Sequence, residues 1–81
     1  MTLLEKMKEA TQRADILSLG EDLLVTIQIR NYGFLVCGQR EVGDEMKRTS
    51  TQLYWEQVDD AWGNPLLTRV ERIARELGEK V

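Results

Sequence analysis

The chain has 81 residues, of which 42% are hydrophobic and 31% charged, and a net charge of −3. These values are typical of a single folded domain over residues 1–81 and are too apolar for a disordered chain. The chain has no histidine and one cysteine, Cys37, so it lacks the usual general base and zinc ligand and cannot form an internal disulfide.

No catalytic, metal-binding or cofactor-binding motif is present. The serine and threonine hydroxyls have no histidine to activate them, and the glycines at positions 33, 38 and 43 match no phosphate-binding loop. We therefore predict a non-enzyme that uses no cofactor. The longest fully apolar run covers residues 34–37, and acids and bases alternate near the N-terminus. These features predict a cytoplasmic protein with no membrane segment and no signal peptide.

The first predicted element is a helix over residues 2–18. Thr2 is a good N-cap, and Glu5, three residues later, completes a capping box. Apolar residues at intervals of three and four form one stripe along the helix: Leu3, Met7, Ala10, Ala14 and Leu17. Gly20 is expected to end it.

A β-hairpin over residues 22–42 is the centre of the predicted fold. We predict a three-residue loop of Asn31, Tyr32 and Gly33, because a two-residue loop would place Tyr32 at positive φ. This loop pairs Ile29 with Leu35 and predicts a second face, turned away from the core, that carries an apolar centre with an arginine rim: Leu24, Arg30, Phe34, Val36 and Arg40. A tight turn at Gly43-Asp44 then leads to a short third strand over residues 45–49.

The segment after that strand allows two interpretations. Residues 49–55 alternate as a strand does, but apolar residues between 54 and 62 also gather on one helical arc, and we predict a helix over residues 50–62. Gly63 ends it, Asn64 caps the next helix, and Pro65 begins a helix over residues 65–77. The predicted fold class is α+β in the order α-β-β-(short β)-α-α, an antiparallel hairpin or three-stranded sheet packed against helices.

Two surfaces are candidate contact sites for a protein partner. The first is the predicted second face of the hairpin, unless a helix covers it. The second combines Trp55, Glu56, Asp59 and Asp60 at the end of the predicted second helix, where Trp62 shares a face with Trp55. The alternative is that both tryptophans are core residues and that the aspartates pair with Arg69 or Arg72.

The leading functional hypothesis is a non-catalytic protein-interaction module that forms a homodimer. In size and character alone, the chain resembles small proteins of phages and mobile elements, which include inhibitors of host defence complexes such as anti-CRISPR proteins. An inhibitor of this kind would use the acidic segment 41–60, which holds six acids and two bases. A third hypothesis is nucleic-acid binding through basic hairpin residues, with Phe34 or Tyr32 stacking on bases: Arg30, Arg40, Lys47 and Arg48. The acidic net charge disfavours it.

Overall fold

The computed structural model describes residues 1–20 and 22–80. Its elements, in chain order, are α1 (Leu3–Leu17), β1 (Leu23–Arg30), β2 (Gly33–Val42), β3 (Glu45–Tyr54), α2 (Trp55–Asp59) and α3 (Pro65–Glu76). The strands form one antiparallel sheet in the order β1-β2-β3. This architecture confirms the predicted α+β class and element order. In the described part of the chain, no helix is long and apolar enough to cross a membrane.

The hydrophobic core lies between one face of the sheet and helices α1 and α3. Its fully buried hydrophobic side chains come from both layers: Ala10, Phe34, Val36, Leu53, Val58, Leu66, Val70, Ile73 and Ala74. Helix α3 crosses directly over Gly38 in the central strand. A Cβ atom at Gly38 would overlap Cγ2 of Ile73 and lie 2.8 Å from Cδ1 of Leu77. Glycine therefore sets how closely α3 approaches the sheet.

The predicted starts of α1 and α3 are confirmed. At α1, the Thr2 amide donates to Glu5 Oε1 at 3.0 Å, and the Glu5 amide donates to the Thr2 hydroxyl at 3.2 Å. The hydrogen bond from the Thr2 backbone, reinforced by one to its side chain, lowers the pKa of Glu5. At α3, Asn64 Oδ1 accepts from the Leu67 amide at 3.2 Å, with Pro65 at the first helical position. Helix α1 ends at Leu17 with Ser18 as its C-cap, before the expected stop at Gly20.

The predicted register of the β1–β2 hairpin is wrong by one residue. Arg30 pairs with Gly33, and Ile29 pairs with Phe34 instead of Leu35. The loop consists of Asn31 and Tyr32 alone, and neither residue has positive φ. Gly33 has the positive φ, at 149°, although it is already the first residue of β2. Because side chains alternate along a strand, this slip moves every β2 side chain to the opposite face from the one expected.

Strand β3 is twice as long as predicted and takes up residues 50–54, the first five residues of the expected second helix. It continues to Tyr54 because its alternating residues pair with β2 along their full length, so that Thr51 lies opposite Val36 and Leu53 opposite Phe34. Burial of Leu53 against the core outweighs the weaker helical pattern. Helix α2 is therefore a single turn and a half, from Trp55 to Asp59. The Gly43-Asp44 turn is confirmed.

Candidate interaction surface

In the part of the chain that the structure describes, one face of the sheet has no helix against it. The residues that alternate with the buried ones point to this side on all three strands, and we call them the open face: Leu24, Thr26, Gln28, Arg30, Leu35, Cys37, Gln39, Glu41, Met46, Arg48, Ser50, Gln52 and Tyr54. Most are uncharged polar or apolar residues. Its only carboxylate, Glu41, lies at the end near the β2–β3 turn. An uncovered sheet face of this composition is the main unexplained feature of the fold.

A groove of about 600 Å³ crosses the open face. All three strands line it: Leu24, Thr26, Gln28, Cys37, Gly38, Gln39, Arg48, Thr49 and Ser50. Arg48 is the only charged residue in this lining, and it has no carboxylate within 4 Å in the described part of the chain. The half-buried Cys37 lies between Thr26 and Ser50 on the neighbouring strands. The groove thus offers neutral hydrogen-bonding groups, an apolar wall and the guanidinium of Arg48.

Of the five residues predicted for the second face, only Leu24 and Arg30 lie on the open face. The prediction was wrong for Phe34 and Val36, which are fully buried in the core. The register slip explains both errors, because it turns the even-numbered residues of β2 toward the helices. Arg30 is exposed and donates to the side-chain oxygen of Gln28 on the same face.

The prediction was also wrong for Arg40, which lies on the helix side of the sheet and holds the end of α3. Its guanidinium donates to the Leu77 carbonyl at 2.8 Å and to Glu79 Oε2 at 2.6 Å. Arg40 Nε lies 3.4 Å from Asp22 Oδ2, an ion pair without the alignment of a hydrogen bond. Arg40 is therefore a structural link between β2 and the C-terminus of α3.

The two tryptophans do not share a face. Trp55 is half-buried, packs edge-on against Phe34 with ring centroids 4.8 Å apart, and donates from Nε1 to the Asn31 carbonyl at 3.1 Å. Trp62 is fully exposed, in the loop between α2 and α3. The two tryptophans were expected to share a face because both were assigned to one long helix. In the structure, β3 continues to Tyr54, so Trp55 is the first residue of a short helix that ends before Trp62.

The predicted acidic site residues are all exposed: Glu56, Asp59 and Asp60. Neither aspartate forms an ion pair with Arg69 or Arg72 in the described residues. Arg69 donates to the Thr51 hydroxyl, at 2.6 Å, and Arg72 pairs with Glu76 at 3.2 Å. The other acids of segment 41–60 lie at the far end of β3, near the Gly43-Asp44 turn. The ten residues of β3 separate the two groups by roughly 30 Å.

A buried lysine that the sequence analysis overlooked organises the loop carrying Trp62. The side chain of Lys6 is 1% exposed. Its ammonium group donates to the carbonyls of Val58 at 2.6 Å and Ala61 at 2.7 Å, and to that of Asp59 at 3.4 Å. These are carbonyls that a helix end leaves without partners. The sequence contained one sign that Lys6 is buried: it lies three residues after Leu3 and four before Ala10, within the apolar stripe of α1.

Asn64 holds the other end of this loop. Its side-chain amide donates to the Lys6 carbonyl at 3.0 Å and to Glu9 Oε1 at 3.3 Å, while its oxygen caps α3. The loop between α2 and α3 is therefore attached to α1 at both of its ends.

The fold and this surface define a small α+β protein with a two-layer core and an uncovered, weakly charged sheet face. No protein-family model matches the chain, and comparison with curated proteins and with solved structures found no significant match. In the described residues, no group of three or more metal-binding side chains comes together.

Proposed function

We propose that this protein is a non-catalytic protein-interaction module that associates with a second copy of itself through the open face. The observation that supports this most directly is the composition of that face. The chain is 31% charged, but the centre of the open face carries no carboxylate, and the groove is lined by a single charged residue, Arg48. Interface centres are typically depleted in charge.

Several apolar side chains on the open face are exposed to water. Leu24, Met46 and Tyr54 are each about half exposed. An antiparallel sheet tolerates one solvated face, but such a face normally alternates with more charged residues than this one has. Contact with a second copy of the chain would bury these side chains.

The test is the concentration dependence of the mass in sedimentation velocity. Cys37→Arg fills the floor of the groove with a long charged side chain, and we expect it to raise the dissociation constant more than about tenfold. The matched control is Ile29→Arg, which adds the same charge at a residue of β1 that is 62% exposed on the other face of the sheet. Equal association by the two folded variants would contradict the proposal.

Phe34→Asp and Val36→Asp are unsuitable tests of association. Both side chains are fully buried, so an aspartate at either position would place an unpaired charge in the core. The expected result for these two variants is unfolding, which says nothing about the open face.

Nucleic-acid binding is the second candidate, and a specific observation favours it. Arg30 and Arg48 lie on the open face, and Tyr54 packs edge-on against Tyr32 at 5.9 Å, which places aromatic rings at one end of this sheet surface. Sheet surfaces with arginines and exposed aromatic rings bind single strands. A short single-stranded oligonucleotide at low salt should then change fluorescence anisotropy, and Arg48→Gln should weaken the change. No anisotropy change would reject this candidate.

The inhibitor hypothesis has less support. A phosphate mimic needs closely spaced carboxylates, whereas the acids of segment 41–60 form two groups at opposite ends of β3. Any inhibitor would therefore use one group at a time. Lysine substitutions at Glu56, Asp59 and Asp60 would test the group near Trp62.

A further inference from the structure

Trp62 is a fully exposed aromatic side chain on an ordered loop. The Lys6 ammonium holds the carbonyls before it, Asn64 holds the backbone after it, and Gly63 makes the intervening turn at φ 72°. Ordering a flexible loop on binding costs free energy, and a loop that is already attached at both ends avoids most of that cost. The backbone that carries the exposed indole ring is therefore held on both sides of Trp62.

The immediate surroundings of Trp62 are acidic. Asp59 and Asp60 precede it in the chain, and both are exposed. Arg69 lines the recess beside Trp62, and its guanidinium donates to the Thr51 hydroxyl. We call Trp62 with these two aspartates the acidic knob. A site that accepts it needs an apolar wall and a positive group.

The groove on the open face has both. Leu24 provides an apolar wall, and Arg48 provides a guanidinium with no carboxylate within 4 Å among the described residues. A volume of about 600 Å³ exceeds that of an indole ring. Inserting a tryptophan buries about 150–250 Å².

This additional buried area is needed because the open face alone is small. Three strands about 4.8 Å apart and eight residues long cover roughly 400 Å², about half of what each partner contributes to a standard interface.

A chain cannot insert its own Trp62 into its own groove. The recess beside Trp62 is lined by Leu53 and Pro65, and Leu53 is a core residue on the helix side of β3. The groove lies on the opposite side of the sheet. The knob and the groove of one molecule are therefore separated by the sheet, and the occupant of each has to come from another molecule.

We propose that Trp62 of one copy inserts into the open-face groove of a second copy, with Asp59 and Asp60 facing Arg48 of that copy. This inference rests on the proposed self-association and specifies its geometry. The contact joins two different surfaces, the acidic knob of one copy and the groove of another, and every copy carries both surfaces. It either repeats from copy to copy or closes into a ring, of which a reciprocal dimer is the smallest.

A mixing experiment tests this geometry with the protein alone. Trp62→Ala removes the knob, and Cys37→Arg blocks the groove. Each variant alone should have a dissociation constant at least about thirty-fold above that of the unmodified chain, the loss typical of a tryptophan anchor. Mixed together, they should associate, because the first still has a groove and the second still has a knob. Sedimentation velocity measures all three samples.

The control is Leu4→Ala, which shortens a side chain on α1 that is 72% exposed and belongs to neither surface. If Trp62→Ala associates as the unmodified chain does while Cys37→Arg does not, the knob is refuted and association through the open face stands. If both variants and their mixture are monomeric, the complementary contact is refuted. If the unmodified chain is itself monomeric at near-millimolar concentration, both the proposed function and this inference fail.

Discussion

Lys6→Met is the substitution that most directly tests how the loop carrying Trp62 is held. The change removes the ammonium group but keeps a long, flexible side chain in the space. The carbonyls of Val58 and Ala61 lose donors at 2.6 and 2.7 Å. An unsatisfied buried carbonyl costs about 1–3 kcal/mol, and water can partly replace the donor at the less buried Ala61. Burying the ammonium also has a cost, which the substitution removes.

The expected net effect is a loss of about 2–3 kcal/mol in the free energy of unfolding, measured by urea denaturation with an unchanged denaturant slope. Lys8→Met is the matched control, since it makes the same chemical change at an exposed position two residues along α1. It should shift the unfolding free energy by less than about 0.5 kcal/mol. Equal stability of the two variants would show that the buried ammonium does not hold the loop.

Two further substitutions test the packing of α3 and the start of α1. Gly38→Ala should destabilise the fold by about 1–3 kcal/mol, because its Cβ would overlap Ile73, whereas Gly20→Ala meets only an ordinary contact and should be near neutral in the same urea measurement. The pKa of Glu5 is lowered in the folded state, so its carboxylate stabilises the fold at pH values above the pKa that it has in the unfolded chain. This stabilisation is lost as the pH falls through the pKa of the folded state. Glu5→Gln should therefore flatten the decline of stability in acid, and an unchanged profile would contradict this role of the capping box.

The elements with strong local signals were predictable from the sequence. The Thr2 capping box and the Asn64-Pro65 start each depend on a few adjacent residues, and both helices begin where these signals place them. The hairpin and the Gly43-Asp44 turn were equally local. These features were enough to predict the fold class, because together they specify one antiparallel sheet and two long helices.

The faces of the sheet were not predictable, because they depend on one residue in one turn. Tyr32 avoids positive φ, as predicted, but Gly33 takes the positive φ while it pairs with Arg30 inside the sheet. Counting Gly33 as part of the loop shifted the register and exchanged the two faces of β2. Phe34 was thereby assigned to a contact surface although it lies in the core.

The roles of the charged residues depend on contacts far apart in sequence. Lys6 reaches carbonyls more than fifty positions away, and Arg40 reaches the end of α3. Hydrophobic periodicity assigns each of these residues to a helix or a strand. It cannot show that the side chain binds a backbone carbonyl far away in the sequence. The exposure of Trp62 follows from the short α2, which in turn follows from the length of β3.

The central claim is that the open face contacts a second copy of the chain. A dilution series of amide NMR spectra tests it most directly, because every residue reports separately. We expect amide signals of Cys37, Gln39 and Ser50, together with the indole signal of Trp62, to move with concentration, while those of the exposed side of α1 stay fixed. Spectra that do not change with concentration, or changes confined to α1, would contradict the claim.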